Sequence, residues 1–167
     1  MVKFLDYFNK KYFYLLISLV AVICDQALKL YIVDHFHVGE SRPVIPHLIS
    51  FYYLQNNGAA WNIFPGQMIL FYLISVIAIG GTLYYLFDPK YQSKIFNTGL
   101  ALVLGGIIGN FIDRLRLHYV IDMIQLDFVN FNIFNIADSC ITIGIILIFI
   151  YLLFIDGKDK KGTDYSE

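Results

Sequence analysis

The chain has 167 residues, 58% of them apolar or aromatic and 15% charged, against about 25% charged in an average soluble protein, which argues against a water-soluble globular domain. Twelve Lys and Arg against thirteen Asp and Glu give a formal net charge of −1, so there is no basic field to hold nucleic acid. Two cysteines, Cys24 and Cys140, both inside apolar runs, make neither a disulfide framework nor a four-ligand zinc site.

Residues 12–33 are apolar except for Asp25, Gln26 and Lys29 near the far end and predict the first membrane span. A cleaved signal peptide is the rival reading, because Lys3, Lys10 and Lys11 precede the run. Ile23, however, is large and branched before Cys24, and no small-x-small pattern leads into Asp25, so the segment reads as a retained helix. In residues 34–67, the aromatic and branched run at 48–54 and the Asn57-Gly58 pair before Ala59, Ala60, Trp61, Ile63 and Phe64 predict a small sheet with a hairpin at Asn57-Gly58.

Residues 68–87 carry no charge, and neither do residues 95–112; they predict the second span and a third over 95–114. Residues 115–135 alternate, with Ile124, Leu126 and Phe128 against Gln125 and Asp127, then Phe131 and Ile133 against Asn130 and Asn132, which predicts further strand. Residues 136–155 hold one charge, Asp138, and predict the fourth span. Four spans leave room for one small extramembrane layer, so residues 1–156 read as a single membrane-embedded domain and 157–167 as a polar, disordered tail. Lys3, Lys10, Lys11, Lys90, Lys94, Lys158, Lys160 and Lys161 fall on one side, and only Arg42, Arg114 and Arg116 on the other, with Lys29 near the end of the first helix; this bias puts both termini in the cytoplasm.

A charge at the centre of a membrane helix costs about 2.5 to 3.5 kcal/mol on insertion scales, so the few polar groups near the outer ends are the candidates for chemistry. Asp25 and Lys29 stand four apart and neutralise each other on one helix face, a structural role. Asn110, Asp113 and Arg114 gather at the end of the third helix, while Gly99, Gly105, Gly106 and Gly109 along it permit close packing. Structural and functional readings both stay open here, and Arg114 reads equally as an interfacial anchor. Asp138 falls in the first turn of the fourth helix, where the positive dipole end favours its charge, and Asp122 lies among Val120, Ile121, Met123 and Ile124. Brought together, the two carboxyls would share one proton around a water molecule, as in an aspartic protease. The competing reading is a helix cap at Asp138 and a solvated turn at Asp122. There is no His-Glu-x-x-His and no Gly-x-Ser-x-Gly, and His35, His37, His47 and His118 lack fixed ligand spacing. An ion path or transporter is the rival from another class, but it calls for polar groups spread through the membrane depth; a purely structural scaffold is the third option.

Asp25-Gln26-x-x-Lys29, Asn56-x-Gly58-Ala59-Ala60-Trp61, Gly109-Asn110-x-x-Asp113-Arg114 with Asp122 eight residues on, and Asn135-x-Ala137-Asp138-Ser139 together closely resemble the bacterial lipoprotein signal peptidase (signal peptidase II) family over nearly the whole chain. The resemblance implies an all-α membrane protein of four transmembrane helices with a small extracytoplasmic β-cradle and a helix that helps close the site. It implies an aspartic endopeptidase, without cofactor or metal, that cuts diacylglyceryl-modified prolipoproteins on the amino side of the lipidated cysteine. It makes Asp122 and Asp138 the catalytic pair, with Asn56, Gly58, Asn110, Arg114 and Asn135 positioning substrate or bracing the dyad, and Asp25, Lys29 and Asp113 as structural polar residues. It also implies a monomer in the bacterial cytoplasmic membrane, among membrane lipids, with the active site near the outer leaflet. Three positions depart from the family pattern: Gln55 replaces an arginine, His118 a glycine, and Met123 a phenylalanine.

Overall fold

The computed structural model describes residues 2–58 and 64–155, with side chains from residue 11 onward. Four helices, α1 (Val2–His35), α2 (Met68–Phe87), α3 (Lys94–Leu117) and α4 (Ile136–Phe154), and three strands, β1 (Ser41–Ile45), β2 (Ile49–Asn56) and β3 (Val120–Leu126), follow in the order α1-β1-β2-α2-α3-β3-α4. All four helices are long and apolar enough to cross a membrane. The chain is a multi-pass membrane protein, and its burial pattern is that of one: Ile69, Ile77, Tyr84 and Leu153 face outward, whereas Asp25, Lys29, Asn110 and Asp113 are buried.

Helix α3 is the centre, packed against α1, α2 and α4. Its glycines allow this. The position a Cβ would take on Gly99 lies 2.7 Å from the Gly144 carbonyl of α4, and on Gly105 it lies 2.8 Å from Ala21 Cβ of α1, so the backbones meet where side chains are absent. Below these contacts Tyr14, Leu86, Phe96, Leu100, Leu104 and Tyr151 form an apolar core. Lys11, counted with the cations that precede the first span, is buried, its Nζ donating to the Tyr91 carbonyl (3.1 Å) and Asn97 Oδ1 (3.1 Å).

The strands form one antiparallel sheet in the order β1-β2-β3. The β1–β2 connection is residues 46–48, with Leu48 N–H donating to the Ile45 carbonyl (3.0 Å) and His47 in the left-handed region (φ 63°). The hairpin therefore lies one strand earlier than predicted. Asn57-Gly58 ends β2, whose other partner is the distant β3, and residues 59–63, which include Trp61, lie outside the described residues, as does the tail 157–167. β1 escapes sequence reading because Ser41-Arg42-Pro43 reads as loop; as an exposed edge strand it tolerates Pro43. The strand predicted across residues 130–133 does not form. Phe131 N–H turns back to the Val129 carbonyl (2.9 Å), and only Phe134 pairs, as a bridge to Ile124. The helix implied for the outer segments has no counterpart among the described residues there.

α3 passes into β3 through a left-handed cap at His118 (φ 62°), whose N–H donates to the Arg114 carbonyl (3.2 Å). The family's glycine suits this geometry, because a Cβ in the left-handed region costs about 1–2 kcal/mol. His118 recovers part of that cost through a 3.1 Å hydrogen bond with the Tyr72 hydroxyl. His118→Gly is therefore expected to raise stability by about 1 kcal/mol or less, read as a higher thermal midpoint in detergent.

Candidate active site

Four backbone devices at the sheet end of the bundle bring the polar residues together. α4 starts with a capping box: Asn135 Oδ1 accepts the Asp138 N–H (2.9 Å) and Asp138 Oδ2 accepts the Asn135 N–H (3.2 Å). The Ala137 N–H donates to Asp25 Oδ1 (2.9 Å), tying α4 to α1. The Ile121 N–H donates to Asp113 Oδ2 (3.1 Å), tying β3 to α3. Finally Phe134 O accepts from the N–H groups of Met123 (3.0 Å) and Ile124 (2.7 Å), which folds the segment after β3 back along it. That return sets Asn135 and Asp138 beside Asp122.

Asp122 is 2% exposed, so the solvated-turn reading of this residue does not hold; Asp138 does cap its helix, and it also faces the cavity. Asn56 Nδ2 donates to Asp122 Oδ2 (2.9 Å) and Asn135 Nδ2 to Asp122 Oδ1 (2.7 Å). Asn110 Nδ2 donates to Asp138 Oδ1 (2.7 Å) and Asn135 Nδ2 to Asn110 Oδ1 (3.0 Å). Burial and the neighbouring Asp138 carboxylate push the Asp122 carboxyl up to about 7, against the bonds from Asn56 and Asn135 and the field of Lys29. The Asp138 carboxylate thus acts electrostatically on the Asp122 carboxyl.

Behind them lies a buried ionic cluster. Lys29 Nζ reaches Asp25 Oδ2 (2.9 Å), Asp113 Oδ2 (2.8 Å) and Asn110 Oδ1 (3.0 Å). The four-residue pairing of Asp25 with Lys29 is present, and Asp113 joins it from α3. Gln26, which the sequence marks as polar within the first span without a role of its own, braces the cluster: its Nε2 lies 2.9 Å from Asp113 Oδ1 and 3.1 Å from the Gly109 carbonyl.

Asn56, Asn110, Arg114, Asp122 and Asp138 line one cavity of about 590 Å³, together with Val120, residues 131–134 of the returning segment and Ser139, Ile141, Thr142 and Ile143 of α4. Gly58 contributes from outside it through its backbone, donating N–H to Asn56 Oδ1 (3.0 Å) and facing Arg114 Nη2 with its carbonyl (3.5 Å). The Arg114 guanidinium stacks 4.9 Å from the Phe71 ring, and the Tyr72 hydroxyl donates to the Arg114 carbonyl (2.9 Å). Arg114 is therefore built into the cavity wall and is no simple interfacial anchor; Phe71 and Tyr72 gave no signal in an aromatic-rich helix. Among the described residues, Arg114 Nε is buried without a hydrogen-bond partner. No group of three or more His, Cys, Asp or Glu among them is placed to hold a metal ion. Of the three departures, Gln55 Nε2 donates to the Tyr53 (3.2 Å) and Tyr119 (3.1 Å) hydroxyls, and Met123 is fully buried with Ile32, Phe36, Tyr53 and Ile121. Neither lines the cavity.

A carboxyl pair lining one cavity of a multi-pass membrane protein also fits what the chain is similar to. The sequence profile described as "Signal peptidase (SPase) II" matches residues 17–154. The lipoprotein signal peptidases of Lactobacillus johnsonii and Lactobacillus gasseri are 67% and 69% identical over 150 residues, 90% of this chain and 97% of each relative; that of Enterococcus faecalis is 47% identical over 152 residues, 90% of this chain and 94% of the relative. A solved structure described as a bacterial membrane enzyme, obtained by the in meso method at 2.3 Å, superposes with a TM-score of 0.82 at 37% identity, covering 92% of this chain and 93% of the other. With the profile spanning four helices and the relatives matching almost end to end, the chain belongs to the signal peptidase II family.

Proposed function

We propose that this membrane peptidase removes signal peptides from prolipoproteins by water attack between Asp122 and Asp138, cutting on the amino side of a cysteine that carries diacylglycerol. The observation that carries this reading is the pair of carboxyls lining one cavity, with no histidine or lysine on its wall among the described residues. Ser139 is the rival nucleophile there, but its hydroxyl donates to the Asn135 carbonyl (3.0 Å), and among the described residues no histidine or lysine lines the cavity to serve as its base.

In this mechanism the ionised carboxyl takes a proton from water as the oxygen attacks the scissile carbonyl, and the protonated carboxyl gives its proton to the carbonyl oxygen. Collapse of the tetrahedral intermediate breaks the C–N bond, and the proton taken from water passes to the leaving amine. Arg114, whose guanidinium lines the cavity, holds a substrate oxygen there. The apolar side chains of α4 and residues 131–134 take the lipid-bearing side of the cleavage site. The enzyme works as a monomer, with residues 1–156 as one unit. The lysine bias supports cytoplasmic termini and a site at the outer leaflet, among membrane lipids.

The test is cleavage of a diacylglyceryl-modified prolipoprotein peptide by purified protein in micelles, with the new amino terminus identified as the lipidated cysteine. Cleavage elsewhere, or equal cleavage of the unlipidated peptide, refutes the substrate assignment. The same assay gives a pH prediction. The active pair holds one proton, and with Asp122 at about 7 that proton is lost as pH rises through neutrality. kcat/KM is therefore expected to fall about tenfold per pH unit above about pH 7.5; a flat profile to pH 9 refutes the shared proton.

A further inference from the structure

Three asparagines face the two carboxyls, and all three amides are turned the same way. Asn56 Oδ1 accepts the Gly58 N–H (3.0 Å) while its Nδ2 faces Asp122. Asn135 Oδ1 accepts the Asp138 N–H (2.9 Å) while its Nδ2 also faces Asp122. Asn110 Oδ1 accepts from Lys29 Nζ (3.0 Å) and Asn135 Nδ2 (3.0 Å) while its own Nδ2 lies 2.7 Å from Asp138 Oδ1. A carboxamide has one accepting and one donating end, and a partner that can only donate decides which end is which. For Asn56 and Asn135 that partner is main chain, which no side-chain substitution removes. For Asn110 it is the ammonium of Lys29, backed by the Asn135 amide.

Lys29 is 1% exposed. Its three N–H bonds match three acceptors, Asp25 Oδ2, Asp113 Oδ2 and Asn110 Oδ1. An ion pair needs one carboxylate; here two hold the ammonium and leave its third N–H aimed at the amide. We propose that Lys29 is a positioning residue for peptide cleavage: by donating to Asn110 Oδ1 it fixes the polarity of the amide whose Nδ2 holds Asp138. The inference rests on the aspartic reading above. It gives the cluster a directed role in place of a purely structural one: without the donor at position 29 the Asn110 oxygen is left with Asn135 Nδ2 alone, whose two N–H bonds are already shared with Asp122 Oδ1 (2.7 Å) and the Ile121 carbonyl (3.3 Å), and the amide can turn.

Lys29→Met alone strands two buried carboxylates, so the test pairs it with Asp113→Asn, which keeps the net charge of the cluster, and compares the double variant with Asp113→Asn alone. The double variant is expected to lose about a further 100-fold in kcat, the scale of a 1 Å misplacement of a reacting group, with KM within about threefold. A kcat within about threefold of the single variant overturns the proposal. If the double variant does not fold, wild-type protein labelled with 15N-asparagine decides. The Asn110 Nδ2 resonances, identified by their loss in Asn110→Ser, are expected to move as the dyad titrates near neutrality; resonances indifferent to pH overturn the proposal. The spectrum needs no substrate, so resonances that titrate in a wild-type protein that fails to cleave the lipidated peptide count against the aspartic reading and not against the amide wiring.

Discussion

Asp122→Asn and Asp138→Asn are each expected to lower kcat by about 10³-fold or more while leaving a folded protein. Asparagine matches aspartate in size and shape, so the cavity and the return of residues 127–134 along β3 survive. It cannot exchange a proton, which removes one half of an acid–base step worth about 10²–10⁴ by itself. At position 122 the new amide keeps an acceptor for only one of its two donors, Asn56 Nδ2 or Asn135 Nδ2, and the other is left facing an N–H. That costs about 1–3 kcal/mol, partly offset because a buried ionisable group becomes neutral. Circular dichroism and the elution volume in detergent are therefore expected to match wild type, while cleavage of the lipidated peptide vanishes. Cleavage within tenfold of wild type by either variant refutes the catalytic assignment; a scaffold or ion path would be indifferent in this assay.

The spans were legible because lipid imposes a length and an apolar composition on them. Residues 68–87 coincide with α2, and α4 ends one residue short of the predicted span. At the ends of α1 and α3 the reading fell short, since α1 begins at Val2 and α3 continues to Leu117. Hydropathy marks where the apolar stretch stops, whereas a helix continues until a cap such as His118 ends it. Lys11 misled for a related reason: a lysine beside a span reads as a flanking charge until Tyr91 and Asn97 are known to converge on it from α3 and the preceding turn. The site residues were legible one by one as polar groups in an apolar chain. Their assembly was not, because it depends on Phe134 bridging Ile124 and on Asp25 holding the Ala137 N–H, pairings that leave no local pattern. β3 forms within the predicted stretch, but its burial does not alternate, since Val120 to Met123 are all buried; β2 meets it across a register shift between Phe51 and Leu54, and the resulting match of Leu54 with Asp122 could not be read from either strand.

Gly106→Ala is expected to cost about 1–3 kcal/mol and most of the cleavage activity, although Gly106 touches no substrate. A Cβ at this position would press directly on the Ala137 carbonyl and lie 2.6 Å from Ile141 Cγ1. Backbone cannot rotate away as a flexible side chain does, so α3 and α4 have to separate. The displaced element carries Asp138 in its first turn, and the Ala137 N–H whose bond to Asp25 locks α4 onto α1 is one residue before it. A shift of a few tenths of an ångström stretches the 2.7 Å bond between Asn110 on α3 and Asp138 on α4, and a misplacement approaching 1 Å costs about 100-fold in rate. Gly80→Ala is the matched control, because nothing lies within 4 Å of the position its Cβ would take; it is expected to retain wild-type midpoint and rate. Equal behaviour of the two variants would mean that close approach of α3 and α4 does not set the position of Asp138. A lowered midpoint with undiminished kcat for Gly106→Ala would separate bundle stability from the geometry of the carboxyl pair.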